Sequence, residues 1–385
     1  MGLVQQWEAG EGFAAGGSAG WTGRDSAPVK ILQVTTDTNY GGVQEVVLAI
    51  CRNASPGFQH FVLRIGAGKL EEAFRQNATV LDAGGSFEFS IRDAISSAGA
   101  DIVHVHMPGG TCPPWLLTAA EAGIPIVESI HCVFRALARE EEIAAARVVA
   151  SEHAAGLQRS REKLHVIPHP ISADGLSKAL QVEQRMRRRQ ERRDLLGIPE
   201  SGVAIGRLGN ITPWKHVQDF IAVVPLVLAW TQGCGRPISF SIAGSSYDTP
   251  SLLDELRDFA GRLGVKDRIL FFGDLPDKYS FLSMLDVFLY PTSKETYCIA
   301  AAEAMAMGCL VISYRESAMP ETVGDGGILV EPGNYKALAE AVASYVRNPD
   351  PWMEKRSLAS RMALARNAPD IVIPKYEKIY TEVAR

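Results

Sequence analysis

Several features that would decide the class of a protein are missing from this chain. Its longest apolar stretch, FIAVVPLVLAW (220–230), is too short to span a bilayer and contains a proline, so membrane association is not expected. The N-terminus lacks a basic region followed by an apolar core, so no signal peptide is expected either. The six cysteines (Cys51, Cys112, Cys132, Cys234, Cys298 and Cys309) make no C-x-x-C pair and no Cys/His metal spacing. That pattern fits reduced thiols in a cytoplasmic protein rather than a disulfide framework or a zinc site. A basic excess is also absent: the net charge of -5 weighs against a nucleic-acid partner. No D-x-D pair stands at a strand end, Asp25 and Asp37 being isolated, and no internal repeat of solenoid period occurs.

What is present is an ordinary globular composition, 46% hydrophobic and 22% charged over 385 residues, enough for two domains with separate cores. Residues 1–27 are rich in glycine and alanine without apolar periodicity and read as a flexible tail. From Val29 onward, short β-branched runs alternate with helical patterns. The runs KILQVTT (30–36), DIVHVH (101–106), IPIVESI (124–130), RVVAS (147–151) and KLHVIP (163–168) are nearly continuous in apolar residues, as in parallel strands buried on both faces. A second series runs VAIGRL (203–208), ISFSIAG (238–244), RILFFG (268–273), VFLYPT (287–292), CLVISY (309–314) and GILVEP (327–332). Strand–helix alternation of this kind predicts an α/β chain of two Rossmann-like domains, with ligands gathered beyond the carboxyl ends of the strands in a cleft between them. The expected boundaries are 28–172 for the first domain, 173–199 for a linker and charged helix, and 200–369 for the second. A terminal helix, about 370–385, is expected to pack back on the first domain. The Arg-rich stretch 182–200 is expected to be a solvated helix.

The stretch SKETYCIAAAEAMAMG (293–308) carries the chemistry. It predicts a helix from Thr296 closed by Gly308, following the strand VFLYPT. Free backbone N–H groups at the start of such a helix suit a phosphate. Glu295 stands just before them, where its carboxylate can accept from a ligand's hydroxyls. Glu303 lies two turns in among alanines, where a carboxylate is costly unless something pairs with it; a vicinal diol such as a ribose would. The small apolar flanks argue against a solvated helix face. Phosphate, ribose and a second polyol together describe a nucleotide sugar.

The E-x7-E spacing, the AMAMGCLVIS that follows and MPETVGDGGILVEPGN (319–334) resemble the retaining nucleotide-sugar glycosyltransferases of family 4 type, which have the two-Rossmann GT-B architecture. The likeness runs over roughly residues 28–385. It implies that Glu303 holds the ribose, that Glu295 contacts the donor sugar, and that the backbone of Tyr297, Cys298 and Ile299 cradles the distal phosphate. Within GRLGNITPWKH (206–216) it implies that Lys215 meets the diphosphate, partnered by Arg207 or, at the usual five-residue spacing, by Asn210. Gly41 and Gly42 in TNYGGVQ resemble the family's glycine loop, with Asp37 and Tyr40 beside it on the acceptor side. His131 resembles the histidine that contacts the donor sugar, and His106 is expected to line the acceptor pocket. Departures from the pattern are Cys298, where the family often has glycine, and AGSS (243–246), which leaves Ser245 or Ser246 to meet the nucleotide.

These readings together imply a retaining, metal-independent transferase moving a hexose or N-acetylhexosamine, with no cofactor besides its nucleotide-sugar substrate. A UDP-sugar is the expected donor. Residues 28–172 hold 12 Lys/Arg against 15 Asp/Glu; this mildly acidic balance favours a small soluble acceptor, such as an aminocyclitol or other secondary-metabolite core, over a lipid-linked or cell-envelope one. A nucleotide-sugar 2-epimerase shares the architecture, but its acid/base carboxylates are not identifiable here. A non-catalytic nucleotide-sugar binder would not need Glu295, Glu303 and Lys215 together.

Overall fold

A computed structural model describes residues 27–83, 87–107, 114–133, 138–247 and 249–384; the expected tail lies outside them except at its last residue. The described residues divide into two compact units, residues 27–173 with 366–384, and Asp174–Ala365. Each is a parallel sheet layered with helices.

In the first unit the strands are β1 (Val29–Asp37), β2 (Phe58–Gly66), β3 (Thr79–Asp82), β4 (Ile102–Met107), β5 (Ile126–Ile130), β6 (Ala146–Val149) and β7 (Leu164–Val166), ordered β3-β2-β1-β4-β5-β6-β7. Every pairing is parallel. Five of these strands match the apolar runs of the sequence. β2 and β3 do not announce themselves, because β2 (FQHFVLRIG) interleaves polar residues and β3 is four residues long. The helix Pro369–Val383 belongs to this unit and buries Val372, Ile373, Tyr376, Ile379 and Tyr380, one face of a 3.6-residue period.

The second unit holds β8 (Val203–Leu208), β9 (Ile238–Ala243), β10 (Ile269–Gly273), β11 (Val287–Leu289), β12 (Leu310–Tyr314) and β13 (Ile328–Val330), ordered β10-β9-β8-β11-β12-β13. The apolar stretch around 220–230 forms most of the helix Val217–Trp230, whose Phe220 and Val224 pack with Ile205, Phe240, Val287 and Leu310 of the sheet. In both sheets the order reverses once, between β1 and β4 and between β8 and β11. Such reversals leave a crevice at the strands' carboxyl ends where ligands bind.

The charged helix, Val182–Leu195, differs from the expected solvated linker: it lies within the second unit. Its arginines at four-residue spacing turn inward. Arg189 donates to Asp286 at 2.6 Å and Arg193, 1% exposed, donates to the other carboxylate oxygen at 3.1 Å, which also accepts from the Ala204 backbone at 2.9 Å. Burial alone would raise the Asp286 carboxyl, but the two arginines and the Ala204 N–H outweigh it and hold that group below its usual range. The helix itself, its close at Gly197 and Pro199, and the exposure of Val182, Glu183, Gln184, Met186 and Arg187 follow the sequence reading; the departure is the one face that carries Arg189 and Arg193 inward.

Candidate functional site

The reversal between β8 and β11 gathers the residues singled out around SKETYCIAAAEAMAMG. Arg207 occupies the end of β8 and is fully buried. None of its three guanidinium nitrogens makes a hydrogen bond of good geometry among the described residues, although the Tyr290 hydroxyl is close enough to help hold its charge. Its near neighbour is the Tyr290 ring, whose centroid lies 5.1 Å from the guanidinium carbon. Burial pushes the arginine below its usual range, partly offset by Tyr290, Cys298 and Glu295. Asn210, three residues on, is exposed in the loop.

Lys215 ends a single 3-10 turn, Pro213–Lys215, and its ammonium is 5.4 Å from the centroid of the same Tyr290 ring. It donates to Glu295, which also accepts from Thr292 at 2.9 Å. Burial works against the lysine's charge, yet the Glu295 carboxylate beside it keeps its pKa above the usual range, so the ammonium stays charged. Tyr290 stacks on Phe288 with ring centroids 5.2 Å apart and is held above its usual range, by burial first. Thus two cations, one acid and one phenol share one wall at the carboxyl end of the sheet.

Two loops meet behind this wall. Gly209 (φ 143°) follows β8 and Gly244 (φ 120°) follows β9; a Cβ on Gly244 would lie 2.1 Å from the Gly209 carbonyl oxygen. Only glycine permits both the backbone angles and that approach. Ser245 takes part through its backbone, its carbonyl accepting from Ile211 N–H at 2.9 Å.

The loop after β11 is strapped from both sides. Ser293 N–H donates to the Trp214 carbonyl at 2.9 Å, Ala318 N–H to the Glu295 carbonyl at 3.2 Å, and Thr322 to the Tyr297 carbonyl. The following helix begins later than the sequence suggests, at Ile299 rather than Thr296. The reason is Cys298, whose left-handed backbone (φ 68°) stands at the N-cap and breaks helical geometry before it. That conformation explains why glycine suits this position in the family pattern. Cys298→Gly is therefore expected to be tolerated, whereas Cys298→Val, β-branched at positive φ, should lower stability by about 1–2 kcal/mol in urea titration.

Glu303 is 2% exposed, and one of its oxygens accepts from Tyr279 at 2.7 Å and from the Lys278 ammonium at 2.9 Å. Both partners lie on the helix Lys278–Met284 and escaped the sequence reading. The signal available was the LPDKY that follows β10, a cation and a phenol at a strand's carboxyl end.

In the first unit Gly41 is the N-cap of the helix Gly42–Arg52, at the carboxyl end of β1. Asp37 is engaged in closing that turn, accepting from Asn39 N–H at 2.8 Å and Gln44 at 3.2 Å. Tyr40 packs beside Val43 and Val47, with the Lys69 ammonium 5.7 Å from its ring centroid. His106 differs from the expectation of a pocket-lining residue: it is 1% exposed, and both ring nitrogens are committed, one to His131 at 3.0 Å and one to Gln33 at 2.7 Å. The short alternation HVH sends His104 and His106 to the same buried face of β4. His131 follows β5 and stacks between His106 and His169, with centroids 5.3 and 5.1 Å away.

Among the described residues, no group of three or more His, Cys, Asp or Glu side chains has metal-binding geometry. No helix among them is long and apolar enough to cross a membrane.

Comparison with known proteins agrees with this geometry. Residues 201–348 match the family model described as Glycosyl transferases group 1. A 2-deoxystreptamine N-acetyl-D-glucosaminyltransferase of Streptomyces fradiae is 26% identical over 315 residues, 74% of this chain and 72% of that protein. A phosphatidyl-myo-inositol mannosyltransferase of Mycobacterium leprae is 27% identical over 303 residues, 74% of each. Among solved structures, Anabaena HepE in complex with UDP and glucose has a TM-score of 0.73 at 17% identity, covering 92% of this chain and 100% of that one. A glycosyltransferase of Rickettsia africae has a TM-score of 0.75 at 18% identity, covering 93% and 99%. The family matched over residues 201–348 and these relatives are glycosyltransferases, and the solved structures share the fold of two Rossmann-like domains.

Proposed function

We propose that this glycosyltransferase of the family 4 type is a retaining enzyme that moves a hexose or N-acetylhexosamine from a UDP-sugar to a hydroxyl of a small soluble acceptor, an aminocyclitol being the leading class. The observation that carries the reading is the buried guanidinium of Arg207, which lacks a well-formed hydrogen bond among the described residues, beside the Lys215–Glu295 pair. A buried cation without hydrogen bonds is costly, and an anionic ligand with several acceptor oxygens would relieve it. A diphosphate has that chemistry, and the start of the helix Ile299–Ala306 lies at the same carboxyl end of the sheet.

In this reading Arg207, Lys215 and the backbone of Tyr297, Cys298 and Ile299 hold the diphosphate, with no metal required. Glu295 orients the sugar, and its bond to Lys215 keeps the ammonium aimed. Glu303, already neutralised on one side by Lys278, receives the ribose hydroxyls. Ser245 and the loop around Asn210 flank the nucleotide. In the first unit, His131 meets the sugar, and Gly41, Gly42, Asp37 and Tyr40 line the side from which the acceptor enters. The acceptor oxygen bonds to the anomeric carbon as the bond from that carbon to the diphosphate breaks. The leaving diphosphate takes the hydroxyl's proton on the same face. Preorganised positive charge on the diphosphate would lower this barrier most.

Support for the donor and acceptor comes from relatives. The HepE structures contain UDP with glucose and UDP-glucose, and the Streptomyces relative is named for an aminocyclitol acceptor. A thermal-shift series with UDP, GDP, ADP and TDP tests the donor: UDP at a hundred times its Kd should add about 2.7 kcal/mol of stability. Stabilisation by GDP alone would sink the UDP assignment. Turnover with the matching sugar in EDTA should be undiminished, and an inverted anomeric centre in the product would sink the retaining mechanism.

A further inference from the structure

The core of the first unit contains a polar row that the transfer reaction as outlined leaves unused. His60 on β2, Gln33 on β1, His104 and His106 on β4, and Ser129 on β5 are all buried, Gln33 and His104 completely. Tyr376 and Tyr380 of the helix Pro369–Val383 cover it. Hydrogen bonds join these groups end to end, and their direction can be followed from one amide.

Gln33 Oε1 lies 2.7 Å from His106 Nε2; a carboxamide oxygen only accepts, so His106 carries its proton on Nε2. When His106 is neutral its Nδ1 must then accept, and the group 3.0 Å from it is His131 Nε2, which therefore donates. On the other side, Gln33 Nε2 donates to His60 Nδ1 at 3.0 Å and to the Tyr380 hydroxyl at 3.3 Å. The Tyr380 hydroxyl also lies 2.7 Å from His104 Nδ1, and His104 Nε2 lies 2.8 Å from Ser129 Oγ. His106 and His131 are thereby ordered by the orientation of a single amide, and proton order in such a buried row is cooperative.

We propose that Gln33 is a positioning residue: through His106 it fixes His131 as the neutral Nε2–H tautomer, making His131 a hydrogen-bonding and not a charged contact for the donor sugar. The last part rests on the sugar-binding reading of His131; the tautomer does not. Neutrality accords with the burial of His104 and His106 and the enclosure of the partly exposed His131 ring among imidazoles, which hold all three well below the usual histidine range.

The test is a ¹⁵N NMR spectrum of the histidine-labelled full-length protein at pH 7.5 without ligand, with His131 assigned by its loss in His131→Gln. Nε2 of His131 and of His106 should each be protonated and Nδ1 of each bare. An Nδ1–H tautomer or an imidazolium at His131 would overturn the proposal. Gln33→Glu supplies the second arm. A carboxylate only accepts and draws a proton onto His106, whose Nδ1–H would then donate to His131; the Nε2–H signal of His131 should be lost and Nδ1–H should replace it. The pH profile of kcat/KM should shift with it. An unchanged His131 spectrum in a folded Gln33→Glu variant would equally overturn the positioning role. Should that variant not fold, the wild-type spectrum alone decides. Neither spectrum uses a substrate, so a failure of the sugar-transfer reading would be read separately, as loss of turnover with this row intact.

Discussion

Arg207→Met is expected to act in opposite directions on stability and on turnover. The guanidinium is completely buried, and its nitrogens lack well-formed hydrogen bonds among the described residues. An apolar side chain of similar length removes a desolvated charge while keeping contact with the Tyr290 ring. Replacing buried charges in this way often stabilises by about 1–4 kcal/mol, so the ligand-free variant should unfold at a higher urea concentration than the wild type. The same change removes a donor from charge developing on the leaving diphosphate, which should lower kcat by roughly 10²–10³-fold. A variant that is less stable and fully active would mean that Arg207 is a structural residue. Stability gained where function is lost is the pattern expected of a site built for a ligand.

The second large effect is acid sensitivity. Burial pushes His60 and His169 down to about 4 in the folded protein, against about 6.5 in an unfolded chain; His104, His106 and His131 are depressed further in the same direction. Well above pH 6.5, from about pH 7.5 upward, these rings are neutral in both states and contribute almost no pH dependence. Between pH 6.5 and about 4 the unfolded chain binds protons that the folded one refuses, so stability falls as pH falls. Each such histidine contributes a slope of up to about 1.4 kcal/mol per pH unit. Urea midpoints should therefore be nearly level from pH 8 to about 7.5 and drop steeply from 6.5 to 5.5, a window above most carboxylate titration. His60→Leu should remove close to one proton from that slope. A level profile down to pH 5.5 would mean that the row is hydrated or already charged.

Much of the architecture was legible because parallel strands buried on both faces read as apolar runs, as VAIGRL and CLVISY do. The E-x7-E block was legible for a related reason: acids embedded among alanines need a partner, and the spacing brings both to one strand end. What stayed hidden depended on tertiary neighbours. Nothing in VFLYPT singles out Tyr290, and only the fold sets Arg207 and Lys215 against its ring. Glu303 had partners in Lys278 and Tyr279, more than twenty residues earlier. The late start of the helix at Ile299 follows from a backbone angle at Cys298 that no periodicity encodes. Gln33, His60 and Ser129 are single polar residues in three separate strands; only the register, Gln33 beside His104 and His106 beside Ser129, brings them into one row. Arg189 and Arg193 misled for the opposite reason. Charge on a helix usually means solvent, and Asp286, which turns them inward, lies more than ninety residues away.

Calorimetric titration of UDP and of uridine into the wild type and into Arg207→Met tests the central claim most directly, because the two ligands differ only in the diphosphate. Loss of a charge-assisted contact worth about 1.5–3 kcal/mol should weaken UDP binding to the variant by roughly 10–150-fold, leaving the weaker binding of uridine unchanged. Equal UDP affinity in the two proteins would contradict the claim that the buried guanidinium beside Lys215 and Glu295 is there to receive the diphosphate of a nucleotide sugar.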